Sequence, residues 1–351
     1  MMVIYIRTKL GFMRNVVMIR SMSITQSNTE RGNGMHRHKK ETLRALYKAY
    51  TPGQKAVLDK LRGFLDENEP ELAYLLQNTW NAQGRAITYK ELREAILNGD
   101  IDPQIIEDWM QDYTRFVSLY LAPLWRSAMV TANELLSSNK PSFTFDPMQA
   151  GVIKWNETHA AEFVTSITMD QVKGLREVIK MATQTGMNVD KLSRAIRPMV
   201  GLNWQQSRAN MRYFENMIKS GMSYTNALDR SIRYAARQSR YRGYMIARTE
   251  LAFSYNQGSL YGIEQAQAQG LMGDVVKIWC TADDERECDL CNELERQSRA
   301  AIEEYGGIGL RDDFDFKTKL NYVGIKRTPP AHVHCRCGVI YKEITPPIIR
   351  D

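Results

Sequence analysis

No cysteine precedes Cys280; all five lie in the last quarter of the chain. A disulfide scaffold spreads its cysteines through the fold, so this distribution excludes one and points to a local clip. Uninterrupted apolar runs of about 18 residues are also missing, so no membrane helix is expected. The metalloprotease signature HExxH is absent, and so is the phosphate-binding GxxxxGK[ST]. A zinc deaminase places HxE before PCxxC; here no HxE exists, and the CxxC comes first with no proline before it. These absences leave a soluble, metal-clipped binding or assembly protein as the leading class.

The chain has 351 residues, 43% hydrophobic and 25% charged, enough for a sizeable core without metal. The net charge of +7 is a mild excess that suits an anionic partner without requiring one. Eighteen methionines read as filler between helices. Residues 1–40 are expected to be a disordered or over-extended start, with Met22 or Met35 as alternative initiators. Arg7, Lys9, Arg14 and Arg20 interrupt its apolar stretches, so no signal-peptide core forms. His36 and His38 fall in this polar tail and are not read as ligands.

The sequence predicts an α+β protein, mainly α-helical, with a small C-terminal α+β zinc-binding module. Residues 41–140 form a first helical region. Thr51-Pro52 opens a helix with Val57, Leu58, Leu61 and Leu65 on one face, and Glu71–Trp80 carries a second apolar stripe. Thr88 and Glu91 form a capping box, with a stop at Asn98-Gly99. Asp102-Pro103 starts a long helix through Leu124, bent by Pro123. Ser137–Pro147 is the expected domain break. Residues 148–270 form a second helical region. Thr168–Gln171 reads there as another capping box, and His159 as a packed histidine. Further helices are expected over 190–199, 203–220 and 223–245. Residues 271–345 form the module, with strands at Val275–Trp279 and Gly338–Tyr341 whose pairing would bring the cysteine clusters together. Residues 306–328 read as a surface loop.

The first cluster is Cys288-x-x-Cys291, and the second is His332-Val333-His334-Cys335-Arg336-Cys337. Two intervening residues let both thiolates face one tetrahedral ion, and a second pair about 40 residues on completes it. His332 and Cys335 repeat the two-residue spacing and are the expected second pair, with Cys337 able to replace Cys335. Cys280 reads as a buried small residue. Asp283–Glu287 reads as a solvated acidic rim. Arg230, Arg233, Arg237 and Arg240, spaced 3, 4 and 3, share one helix face interleaved with tyrosines. That face suits nucleic-acid phosphates or an acidic protein surface, or is simply solvated.

Several stretches then line up in order: Ile246-Ala-Arg-Thr-Glu250, Asn256, Gly258, Lys277-Ile-Trp279, Thr281–Arg286, Cys288-x-x-Cys291, and Pro329-Pro-Ala-His332-x-x-Cys335-Arg-Cys337. This combination resembles the phage Mu F-like head morphogenesis family, which includes the SPP1 minor head protein. The resemblance covers about residues 150–345. It departs from the family where Leu294 is followed by Glu295-Arg296 and not by a glycine. The resemblance implies a minor capsid component of a phage or prophage, associated with the portal and with other capsid or scaffold proteins. Such a protein resides in the virion, passes through the host cytoplasm during assembly, acts on DNA-filled heads and is not an enzyme. The zinc would be structural. Some relatives carry a toxin domain after this module; the chain ends too soon after Cys337 for one to be expected. Within the motif, Arg248 and Glu250 are expected to be structural, Arg248 by pairing with a carboxylate of Asp283–Glu287. The rival classes are a nucleic-acid-binding zinc protein and a zinc-dependent hydrolase or toxin relative.

Overall fold

The computed structural model describes residues 52–184, 188–281, 287–316 and 327–344. The N-terminal 40 residues, Thr51, Gly186 and the acidic stretch 283–286 lie outside the described residues. Helix α1 (Pro52–Ala86) joins the two expected apolar stripes into one 35-residue helix, with Pro70 inside. Proline in a helix interior costs about 3 kcal/mol. Burial of Leu61, Leu65, Leu72, Ala73, Leu76 and Trp80 on both sides of it offsets that cost.

Helix α2 (Tyr89–Asn98) carries the predicted capping box. Thr88 N–H donates to Glu91 Oε2 at 2.6 Å, and Glu91 N–H donates to Thr88 Oγ1 at 3.2 Å. Gly99 closes it in the left-handed region, at φ 76°. Helix α3 (Pro103–Phe116) starts at Asp102, whose Oδ1 accepts the Gln104 N–H. The bend expected from Pro123 takes the form of a π-helical turn, Val117–Leu121, before α4 (Ala122–Ala132). Pro123 lacks an N–H and crowds the carbonyl four residues back, and a widened turn relieves both. A short α5 (Glu134–Asn139) follows.

The Ser137–Pro147 break does not divide the protein into two cores. Phe143 and Phe145 are buried against Met129, Leu260 and Ile263, and helices on both sides share one larger cluster. Helix α6 (Ala150–Gln184) runs straight through the expected second capping box. Thr168 and Gln171 are buried in its middle. Gln171 accepts a hydrogen bond from the Tyr113 hydroxyl and donates to Gln83 Oε1 at 3.1 Å, so its polar end is engaged across helices. The segment α7 (Val189–Ile196), a 3-10 turn (Arg197–Met199) and α8 (Trp204–Lys219) match the expected pattern.

Helix α9 (Tyr224–Ala268) extends well beyond residue 245, to 45 residues, and its C-terminal half is the central rod of the fold. Gly258 and Gly262 let it touch α4. A Cβ on Gly258 would sit 2.3 Å from Met129 Cα, and one on Gly262 would sit 1.6 Å from Asn133 Oδ1. Arg242, two positions after Arg240, is 3% exposed. It donates to the Gly201 carbonyl and lies 5.2 Å from the Trp80 ring, which makes it a core residue.

The protein is mainly helical, with one small antiparallel sheet near the C-terminus. Strand β1 (Val275–Cys280) lies between β2 (Ile308–Gly309) and β3 (Gly338–Glu343). The β1–β3 register runs from Val275 opposite Glu343 to Cys280 opposite Gly338, so the expected pairing is present. Neither β2 nor the helix α10 (Asp289–Tyr305) was expected from the sequence. Trp279, Leu294, Phe314, Phe316 and Val339 pack with Cys291, Cys335 and Cys337 into a second core.

Candidate metal centre

Each cysteine cluster is positioned by an element end. Cys288 is the N-cap of α10, and its Sγ accepts the Cys291 N–H at 3.4 Å. Both sulfurs therefore sit at a helix N-terminus, where backbone N–H groups and the helix dipole favour thiolate. On the other side, the Cys335 N–H donates to the His332 carbonyl at 3.2 Å, closing a turn with His334 in the left-handed region at φ 63°. Cys337 directly precedes β3. Because Gly338 pairs with Cys280, the sheet register itself delivers this turn to the start of α10.

The two clusters converge. His332 Nε2 lies 3.1 Å from Cys288 Sγ and 3.3 Å from Cys291 Sγ, and Cys291 Sγ lies 3.8 Å from Cys335 Sγ. Cys291, Cys335 and Cys337 form a second overlapping triad. The 3.8 Å gap is far from a disulfide, which needs about 2.05 Å, and all five cysteines are free thiols. Burial alone would raise the Cys335 thiol, yet hydrogen bonds from Cys291 and Cys337 hold it well below the usual range. Its contacts push Cys291 and Cys337 up in turn. Converging thiols that share too few protons suit a cation, and this set can hold a metal ion.

His332 Nδ1 lies 2.7 Å from the Val333 carbonyl. A proton on Nδ1 donates there and leaves the Nε2 lone pair facing the sulfurs, the arrangement that orients a ligating imidazole. His334 is outside the cluster. Its N–H donates to Thr249 Oγ1 at 3.2 Å, and its ring lies 5.4 Å from Tyr241. His332→Ala is expected to weaken metal binding by roughly 100-fold or more, above the 10–100-fold that an outer-shell loss costs. His334→Ala should leave it nearly unchanged. Competition with a chromogenic chelator measures both, and equal losses would overturn the assignment. Cys280 is buried apart from the cluster, and burial pushes its thiol up to about 12, as a structural cysteine requires.

The motif residues tie α9 to this centre. Asn256 Nδ2 donates to the Cys337 carbonyl at 3.1 Å. Glu250 and His159 are each 1% exposed and meet at 2.7 Å in the helical core. Residues 283–286 of the acidic stretch expected to pair with Arg248 lie outside the described residues, and Arg248 has a partner elsewhere. Its Nε and Nη2 lie 2.7 and 2.6 Å from Glu69 Oε2, tying α9 to α1. The sequence hid this partner because Glu69 lies 179 positions away and beside a helix-breaking proline. Burial raises the Glu69 carboxyl despite Arg248 opposing it. Arg248→Ala should therefore cost about 1.5–3 kcal/mol, read as lower stability of the helical body in urea. An unchanged midpoint would show the pair to be idle. The family departure at Glu295 is also structural. It lies inside α10, and its carboxylate accepts from the Thr281 N–H at 3.2 Å and the Thr281 hydroxyl at 2.7 Å.

Arg230, Arg233, Arg237 and Arg240 are all exposed on α9. Compared with known proteins, the chain matches no protein-family model, no curated protein and no solved structure.

Proposed function

We propose that this protein is a minor head component of a phage or prophage, acting in the assembly of DNA-filled heads beside the portal, with a structural zinc in its C-terminal module. The observation that carries the reading is where the motif residues fall. Glu250, Asn256, Gly258, Trp279 and Thr281 are all buried: Glu250 and Gly258 seat the long helix on α6 and α4, Asn256 ties it to the Cys337 carbonyl, and Trp279 and Thr281 pack within the sheet module. That ordered set is what resembles the Mu F-like family, and its positions have structural work in this chain.

The donor set favours zinc. A zinc–sulfur bond of about 2.3 Å gives a tetrahedral S···S edge of about 3.8 Å, and Cys291 and Cys335 stand 3.8 Å apart. Five thiol or imidazole donors for four positions close the shell with protein, as in a structural site and unlike a catalytic one. Cys288, Cys291 and His332 are the fixed ligands, with Cys335 or Cys337 as the fourth. A closed shell supports a structural role for the metal. Mass spectrometry of purified particles and of isolated portal complexes tests the proposal. The chain should be present in wild-type particles and missing from particles of a Cys288→Ser/Cys291→Ser mutant. Absence from wild-type particles and portal complexes alike would end it.

A further inference from the structure

The basic face of α9 runs C-terminally toward the metal centre, where Tyr241 meets the His334 ring at 5.4 Å. At about 100° per residue, Arg230, Arg233, Arg237 and Arg240 share one arc with Tyr234, Tyr241 and Tyr244. Tyr241 is 57% exposed and Tyr244 38%. The four guanidinium groups, with Tyr213 from α8 and Ala236, line a concavity of about 480 Å³. Tyr213 packs on Tyr234 at 5.0 Å, and Arg237 lies over the Tyr234 ring at 5.7 Å. Of the four arginines, Arg233 meets Asp229 at 2.9 Å. Among the described residues, no carboxylate pairs with Arg230, Arg237 or Arg240.

From this geometry we infer that the α9 face between Arg230 and Tyr244 binds the phosphate backbone of a nucleic acid. Four like charges held together around a hollow repel one another, and an anion seated there relieves that repulsion. The stripe is about 15 Å long at 1.5 Å per residue, and duplex DNA carries one charge per roughly 1.7 Å of axis, so several phosphates face it at once. An acidic protein partner fits less well. Protein interfaces have an apolar centre depleted of charge, whereas here four arginines line the hollow. Tyrosine hydroxyls donate to phosphate oxygens, and their rings stack on exposed bases. Arg242, the one arginine in the run that turns inward, is committed to the core, so the face is set by the exposed four. This inference does not rest on the head-assembly reading and can fail or hold independently of it.

The test is fluorescence anisotropy of the full chain with a labelled duplex of about 20 base pairs, over roughly 50 to 200 mM salt. Log affinity should fall linearly with log salt. Arg233→Gln/Arg237→Gln removes two phosphate contacts at about 0.7–0.9 each, so the slope should drop by about 1.4–1.8. Arg115→Gln/Arg126→Gln, with the same charge change elsewhere on the surface, should leave the slope unchanged. Arg233→Lys/Arg237→Lys keeps the charge and should keep the slope, which separates lost charge from lost fold. Equal slopes in both glutamine variants would mean diffuse attraction by net charge and overturn the proposal. Capture by poly-glutamate with no DNA binding at the lowest salt would overturn it in favour of an acidic protein partner.

Discussion

Stripping the metal with a chelator is expected to unfold the sheet and α10 while the helical body stays folded. The sheet has three strands, one of them only two residues long. Its own core is a handful of side chains, and three of those are the ligand cysteines Cys291, Cys335 and Cys337. Without metal, several buried thiols crowd within a few ångströms with no cation to balance a thiolate among them. In small zinc domains metal binding contributes on the order of 10–16 kcal/mol, and the apo forms are unfolded. The effect here is bounded by what β1 gains from packing on the helices, since Val275 joins the cluster of Met129, Phe143 and Leu260. Hydrogen exchange separates the two regions. After chelation, amides of 275–280 and 338–343 should lose protection, while those of 58–80 and 247–266 keep it. Cys291→Ser should reproduce the change without chelator. Retained protection in both strands after complete metal loss would show that the apolar core alone holds the module.

The second large effect is expected at Glu250. Its carboxylate meets His159 Nε2 at 2.7 Å with both groups 1% exposed. His159 is enclosed by rings: Trp155 stacks on it at 4.6 Å, and Trp125 and Phe253 lie at 4.8 Å. Water cannot replace a partner there. Glu250→Ala leaves a buried imidazole without it and opens a cavity, and removing one member of a buried pair costs about 3–5 kcal/mol. At about 2–4 °C per kcal/mol for a body of this size, the thermal midpoint should fall by roughly 6–20 °C. Glu250→Gln keeps an acceptor and should lose less. The double change His159→Phe/Glu250→Leu should recover part of the loss, because apolar residues of similar volume often replace a buried pair at little cost. A loss below about 1 kcal/mol for Glu250→Ala would mean that the pair is not buried in solution.

These two expectations differ in how far the sequence alone reaches them. The metal ligands were legible because ligand spacing is a local property. Cys288 and Cys291 need one helical turn, and His332 and Cys335 need one tight turn. The strands were legible because β-branched and aromatic residues flank both clusters. The capping box at Thr88–Glu91 and the glycine stop at Gly99 were legible for the same reason, since their partners lie within four residues. The identical pattern at Thr168–Gln171 misled, because Gln171 finds Tyr113 and Gln83 across the core and the helix runs on. Pro70, between the two apolar stripes, does not end α1 either. Local propensity is worth a few kcal/mol, and burial on both sides of a proline exceeds it.

By itself, then, the sequence determined the helical class, the two strands, the two Cys/His clusters and the run of arginines, all set by spacing within a few positions. Only the tertiary structure decided what pairs with what over long separations. Arg248 takes Glu69 from α1, Glu250 takes His159 from α6, and Asn256 takes the carbonyl of Cys337. It also decided that Arg242 is core while its neighbours Arg237 and Arg240 face solvent. The physical reason is that a charged side chain carries no mark of its partner. Burial forces pairing, and which elements are brought together settles the partner.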